Sequence, residues 1–116
     1  MSRPRLAFTN RWMFGRVMLD EPVCRQFIRC VLGIDVDRID YLNAEQVLEP
    51  AVESRGVRMD VYAREGNRVY DIEMQCAPEP LLGRRFRYYQ ATLDMTTLAP
   101  GKDYDELCES FIVFLC

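Results

Sequence analysis

The stretch from Gly56 to Gln75, GVRMDVYAREGNRVYDIEMQ, constrains the fold more than any other part of the chain. It reads as two strands of alternating character joined at Gly66-Asn67. Both residues tolerate positive φ, so the pair predicts a tight β-hairpin. Pairing the strands about that turn sets Arg64 against Val69, Tyr62 against Asp71, Asp60 against Glu73 and Arg58 against Gln75. Directly opposed residues have Cβ atoms roughly 5 Å apart, so two carboxylates stand side by side. Like charges so placed destabilise a hairpin unless something compensates them. A divalent cation with oxygen ligands would do so. An ion-pair network with Arg58 and Arg85 is the alternative. The opposite face, Val57, Met59, Val61 and Ala63 with Tyr70, Ile72, Met74 and Cys76, reads as core.

The rest of the composition narrows the chemistry. A chain of 116 residues fits one small domain with a modest core. The net charge of -3 removes any global basic signature for nucleic acid and leaves room for a local patch. There are five cysteines, no Cys-x-x-Cys and no histidine. That argues against a zinc site and against a disulfide framework, and for free thiols in a reducing cytoplasm. Without histidine the commonest general base is absent, and so are Ser-His and Cys-His nucleophiles. Carboxylates and a metal are the chemistry left. No apolar run reaches transmembrane length, and Arg3 and Arg5 precede no signal-peptide core, so no membrane partner is expected.

Taken in order, Met1 to Asn10 reads as a lead-in. Arg11 to Leu19 carries apolar residues at helical spacing, interrupted by Gly15. Asp20 is a candidate N-cap for a helix from Pro22 to Leu32, with Gly33 as its left-handed C-cap. Val23, Phe27, Cys30 and Val31 are expected on its apolar face, and Arg25 and Arg29 on a solvated one. Ile34 to Leu42 reads as a surface connection or an edge strand. Its acids Asp35, Asp37 and Asp40 lack the glycine and the terminal glutamate of a calcium loop. Glu45 to Pro50 is expected as a strand. Glu45, Glu49 and Glu53 are either surface charge or acids within reach of a cation on the hairpin. Ala77-Pro78-Glu79-Pro80 breaks the chain. Leu81 to Leu98 then forms a helix with an apolar stripe of Leu82, Phe86, Tyr89 and Leu93. Arg84, Arg85, Arg87 and Tyr88 cluster in its first turns, where arginine beside an aromatic suits phosphate and base contact. Cations at a helix N-terminus oppose the macrodipole, a local cost that hints at use. Pro100-Gly101 stops the helix. Phe111 to Cys116 is a continuous apolar run, expected as a strand buried on both faces.

Asp60 followed by Glu73-Met-Gln75 on a hairpin resembles the PD-(D/E)XK nuclease superfamily, specifically its transposase-like, recombination-promoting nuclease group. The matching residues are Thr9-Asn10 with Met13-Phe14-Gly15, Cys30 to Gly33, Gly56 to Tyr62 and Tyr70 to Gln75. Arg85 with Tyr88-Tyr89-Gln90, Leu98 to Tyr104 and Phe111 to Cys116 complete the set, so nearly the whole chain is covered.

The resemblance implies an α/β fold with a restriction-endonuclease-like αβββαβ core, a mixed central sheet flanked by helices. It implies one nuclease-like domain over residues 1–116, expected to be truncated at its C-terminus. It implies a metal-dependent DNA endonuclease whose Asp60 and Glu73 hold Mg2+ or Mn2+ with the backbone carbonyl of Met74. Gln75 stands where the superfamily usually has lysine and would orient water or phosphate. Its amide does not titrate, so it cannot serve as a base. DNA is the implied partner, through Arg84, Arg85, Arg87 and Tyr88, in a bacterial cytoplasm at the nucleoid. An exposed sheet edge would invite a homodimer. Arg11 departs from the pattern, which has an acid there. With that departure, the alternative reading is a catalytically inactive mobile-element remnant that binds DNA or protein.

Overall fold

The computed structural model describes residues 11–48, 56–75 and 80–115. Two helices come first, α1 (Arg11–Met18) and α2 (Glu21–Leu32), then three strands, β1 (Tyr41–Leu48), β2 (Val57–Glu65) and β3 (Arg68–Met74). Helix α3 (Leu82–Thr97), a single 3-10 turn (Tyr104–Glu106) and β4 (Glu109–Leu115) follow. This is the expected αβββαβ order with one more helix ahead of β1. The strands form one mixed sheet in the order β1-β2-β3-β4, with β3 and β4 parallel and the other pairs antiparallel.

Local chemistry explains most of the element ends. Asp20 caps α2 by accepting a hydrogen bond from the Val23 N–H at 3.3 Å. Gly33 ends the helix at φ 69°, where a side chain would be strained. Gly66, at φ 53°, makes the hairpin turn, and its N–H donates to the Asp40 carboxylate at 2.7 Å. That bond, helped by Arg38, holds Asp40 below its ordinary pKa. Arg29 pairs with Asp35 and Arg25 with Glu21, so the helix arginines belong to a solvated face.

The sheet lies between two apolar layers. On one side Phe14 and Met18 of α1 and Cys24 and Ile28 of α2 pack against Val61, Ala63, Tyr70, Ile72 and Met74. On the other, Leu93 and Tyr89 of α3 pack against Val57, Met59, Tyr62 and Val69. Gly15 lets α1 approach β1, since an added Cβ would stand 3.3 Å from that of Ala44. The glycine that weakens α1 as a helix is therefore a packing residue.

Four expectations need correction. The inward face of α2 runs through Cys24, Phe27, Ile28 and Leu32, while Val23 and Val31 are 41% and 46% exposed and Cys30 is exposed. Residues 23 and 24 are both near an apolar row, and the position of α1 and the sheet selects the second. The strand expected at Glu45–Pro50 begins earlier, at Tyr41, because its pairing with Arg64 to Val57 of β2 sets its length. Among the described residues β4 pairs with β3 alone, and none of its residues is fully buried, so it is an edge strand with α3 packed against it. Finally, Val57 and Met59 do not share a face with Val61 and Ala63; they pack on the α3 side. The lead-in to Asn10, Glu49, Glu53, Cys76, the start of the Ala77–Pro80 break and Cys116 lie outside the described residues, as does the side chain of Arg11. No helix among the described residues is long and apolar enough to cross a membrane.

Candidate active site

The change of face along β2 falls at Asp60. The β2–β3 ladder has the register expected from the turn, but it stops at Val61↔Ile72. Beyond that pair the strands are bridged by side chains instead. The Asp60 N–H donates to Glu73 Oε2 at 2.6 Å, and the Met74 N–H donates to Asp60 Oδ2 at 3.0 Å. Each carboxylate thus replaces a backbone acceptor on the opposite strand. β3 meanwhile stays in the sheet through β4, with Glu73 opposite Phe114 and Met74 opposite Leu115. On the other side of β2, Glu45 stands between the paired residues Ala44 and Gln46 at φ 57°. A non-glycine residue in that conformation is uncommon, and it marks the same bend. β2 is therefore bent away from β3 at the acids.

α3 covers the opening. A cavity of about 590 Å³ is lined by Arg58, Asp60 and Glu73 from the hairpin and by Arg84, Arg85 and Tyr88 from α3. Its floor is acidic and its α3 side is basic. Arg87 is exposed and lies outside that lining. The helix is fixed over β4 by Phe86, whose ring centroid is 4.5 Å from that of Phe114, and by Tyr89 at 5.8 Å from the same ring. Gln75 continues the β3–β4 pairing through its N–H to the Leu115 carbonyl at 2.7 Å. Its side-chain oxygen accepts from Arg85 Nη1 at 2.8 Å.

The electrostatics are unusual for a small domain. Asp60, Asp71 and Glu73 are 7%, 0% and 3% exposed. Among the described residues no ion pair joins any of the three to an arginine. Burial pushes Asp71 up to about 11, helped by its contact with Glu73. Burial also raises Glu73, as does the charge of Asp60, while Asp71, the Asp60 N–H and Arg85 pull it down. No protein donor reaches either oxygen of Asp71 among the described residues. Its neighbour is the Glu73 carboxyl, and two carboxyls bond to each other when one keeps its proton. Asp71 is that acid. It is also the residue that reading the sequence missed. Its place opposite Tyr62 in the hairpin register was the available signal, since it set a third carboxyl beside the other two.

A divalent cation fits this chemistry. Asp60 and Glu73 each commit one carboxylate oxygen to a backbone N–H. Both line the cavity, and among the described residues no ion pair joins either of them to an arginine. Hard cations take oxygen ligands of this kind. A second acidic group, Asp103, Asp105 and Glu106, has carboxylate oxygens within 4.8 Å of one another, but it is fully on the surface. Asp103 and Glu106 there cap the 3-10 turn.

A family model described as PD-(D/E)XK nuclease family transposase matches residues 4–116. Searches of curated proteins and of solved structures gave no match.

Proposed function

The chain belongs to the PD-(D/E)XK nuclease family transposases, and from that premise we propose that it is a divalent-metal-dependent DNA endonuclease. The family makes nuclease or transposase-like function the broad class, with DNA as substrate. The finer reading rests on one observation: buried Asp60 and Glu73, bridged to opposite strands, face a cavity whose other wall carries Arg84, Arg85 and Tyr88.

In this reading Asp60 and Glu73 hold Mg2+ or Mn2+, with the Met74 carbonyl beside them. When bound, the cation supplies positive charge to the scissile phosphate and acidifies water. The chain does the rest. The hydrogen bonds from the Asp60 and Met74 N–H groups hold the two carboxylates so that their other oxygens serve the cation. Arg84 and Arg85 attract the phosphate, Tyr88 offers a face to a base, and Arg87 extends the basic surface along α3. Gln75 orients water or phosphate and takes no proton. The recombination-promoting role follows from double-strand or single-strand breaks made in this way.

The test is nicking of supercoiled plasmid with Mg2+ or Mn2+, alongside thermal unfolding with and without the cation. Wild type should cleave and melt higher with metal, since a ligand of the native state raises the midpoint. Asp60→Asn and Glu73→Gln should lose both effects while folding. Cleavage that survives in Asp60→Asn sinks the assignment. A chain that neither cleaves nor gains stability from metal would move the inactive, DNA-binding remnant ahead.

A further inference from the structure

Strand β4 turns alternate backbone groups away from the sheet. The Glu109 N–H donates to the Asn67 carbonyl at 2.9 Å, and the Leu115 carbonyl accepts from the Gln75 N–H at 2.7 Å. In a parallel ladder a residue that turns one backbone group to its neighbour turns both, and the next residue turns both away. Glu109, Phe111, Val113 and Leu115 therefore face β3, and Ser110, Ile112 and Phe114 face outward. Among the described residues no strand lies on that side. The strand is held ready from both faces. Phe86 and Tyr89 of α3 pack on Phe114, Gln90 donates to the Ser110 hydroxyl, and Phe111 stacks on Tyr70 at 5.4 Å. Proteins ordinarily blunt such an edge with lysine, proline or a bulge. β1, at the other edge of the sheet, is broken at Glu45, where φ is 57°. The sequence of β4, ESFIVFL, has no lysine, proline or positive φ, and its register with β3 is unbroken.

What fits this edge is the edge itself. A second copy related by a twofold axis through Ile112 runs antiparallel to β4. It sets Ile112 against the partner's Ile112 and Ser110 against the partner's Phe114. All of these are outward residues, so each opposed pair exchanges both hydrogen bonds and every outward group of β4 gains a partner. The side chains agree with the register. Small Ser110 faces bulky Phe114 on the α3 side. On the other side Phe111 faces the partner's Val113, an aromatic residue against a β-branched one, which is a favourable cross-strand pair. Glu109, already paired with Arg68 at 3.1 Å, faces Leu115, so no like charges meet. We propose that β4 is a dimer interface, pairing antiparallel with β4 of a second copy about Ile112 to join the two sheets. The axis stands perpendicular to the sheet, so both α3 helices and both cavities lie on one side of the dimer. The pairing does not rest on the nuclease reading; where that reading also holds, the two acidic sites face one duplex together.

The experiment is sedimentation equilibrium of the full chain across a dilution series, on wild type and Ile112→Pro. Proline at 112 removes an outward donor and no bond to β3, a place where an edge strand accepts it. Wild type should be a dimer that dissociates on dilution. Ile112→Pro, folded by circular dichroism, should have a dissociation constant raised at least about tenfold, since each copy loses a donor and gains a ring in the interface. Amide hydrogen exchange of wild type supplies a readout that needs no variant. Ser110, Ile112 and Phe114 should exchange at least about tenfold more slowly at dimeric than at monomeric concentration. Phe111 and Val113, bonded to β3, should stay protected at both. A wild type that is monomeric throughout the series overturns the proposal. So does a dimer in which those three amides exchange as fast as in the monomer, or one that survives unchanged in folded Ile112→Pro.

Discussion

The buried acids set a pH dependence that the rest of the chain leaves visible. With no histidine, no ordinary side chain titrates between about pH 5.5 and 7. Unfolded, Asp71 and Glu73 ionise near pH 4. Folded, both are raised by burial, so the Asp71–Glu73 pair holds a proton that the unfolded chain has lost. Unfolding therefore releases a proton and is favoured as the pH rises. The stabilising contribution is complete below about pH 4 and is lost progressively up to the folded pKa. One retained proton gives a slope of about 1.4 kcal/mol per pH unit, or about 2 kcal/mol from pH 5.5 to 7. For a domain of this size that is a fall in midpoint of roughly 8 °C. The assay is urea or thermal unfolding in EDTA at intervals across this window, on wild type and Asp71→Asn. The asparagine keeps a donor toward Glu73 and removes the titration. Its stability should be flatter with pH and higher at pH 7. A flat wild-type profile, or an unchanged slope in Asp71→Asn, would refute a proton held by the Asp71–Glu73 pair.

Two further outcomes test the packing. Gly15→Val should lower stability by about 2 kcal/mol in denaturant unfolding, because the space between α1 and Ala44 admits no branched side chain. Asp20→Ala should cost about 1 kcal/mol, through loss of the cap on α2, without changing metal-dependent cleavage.

Much of this protein is legible in local pattern. Gly66-Asn67 and the alternation on either side placed the hairpin and its register, because a two-residue turn leaves few ways to pair its strands. Asp20, Pro22 and Gly33 bounded α2, since caps depend on one residue's side chain and φ. The stripe of Phe86, Tyr89 and Leu93 is the one that α3 buries against the sheet and β4. The acidic pair Asp60 and Glu73 could be named from register alone.

Other features depend on packing between distant segments. Which of two adjacent rows α2 buries was decided by α1 and the sheet. The end of the ladder at Val61↔Ile72 depends on β4 holding β3 while β2 bends away with β1, and period-2 alternation assumes an unbent strand. The raised pKa of Asp71 follows from complete removal from water beside another carboxyl, which is a property of the assembled layers. Arg85 reads as a phosphate ligand in sequence, yet its grip on Gln75 required α3 to dock across β3 and β4. The sequence by itself determined the elements, the hairpin and its two acids, because short-range periodicity and turn sterics act within a few residues. Tertiary structure alone decided which faces were dry, where the sheet opened and which way the Gln75 amide points, because desolvation and side-chain direction are set by neighbours far along the chain.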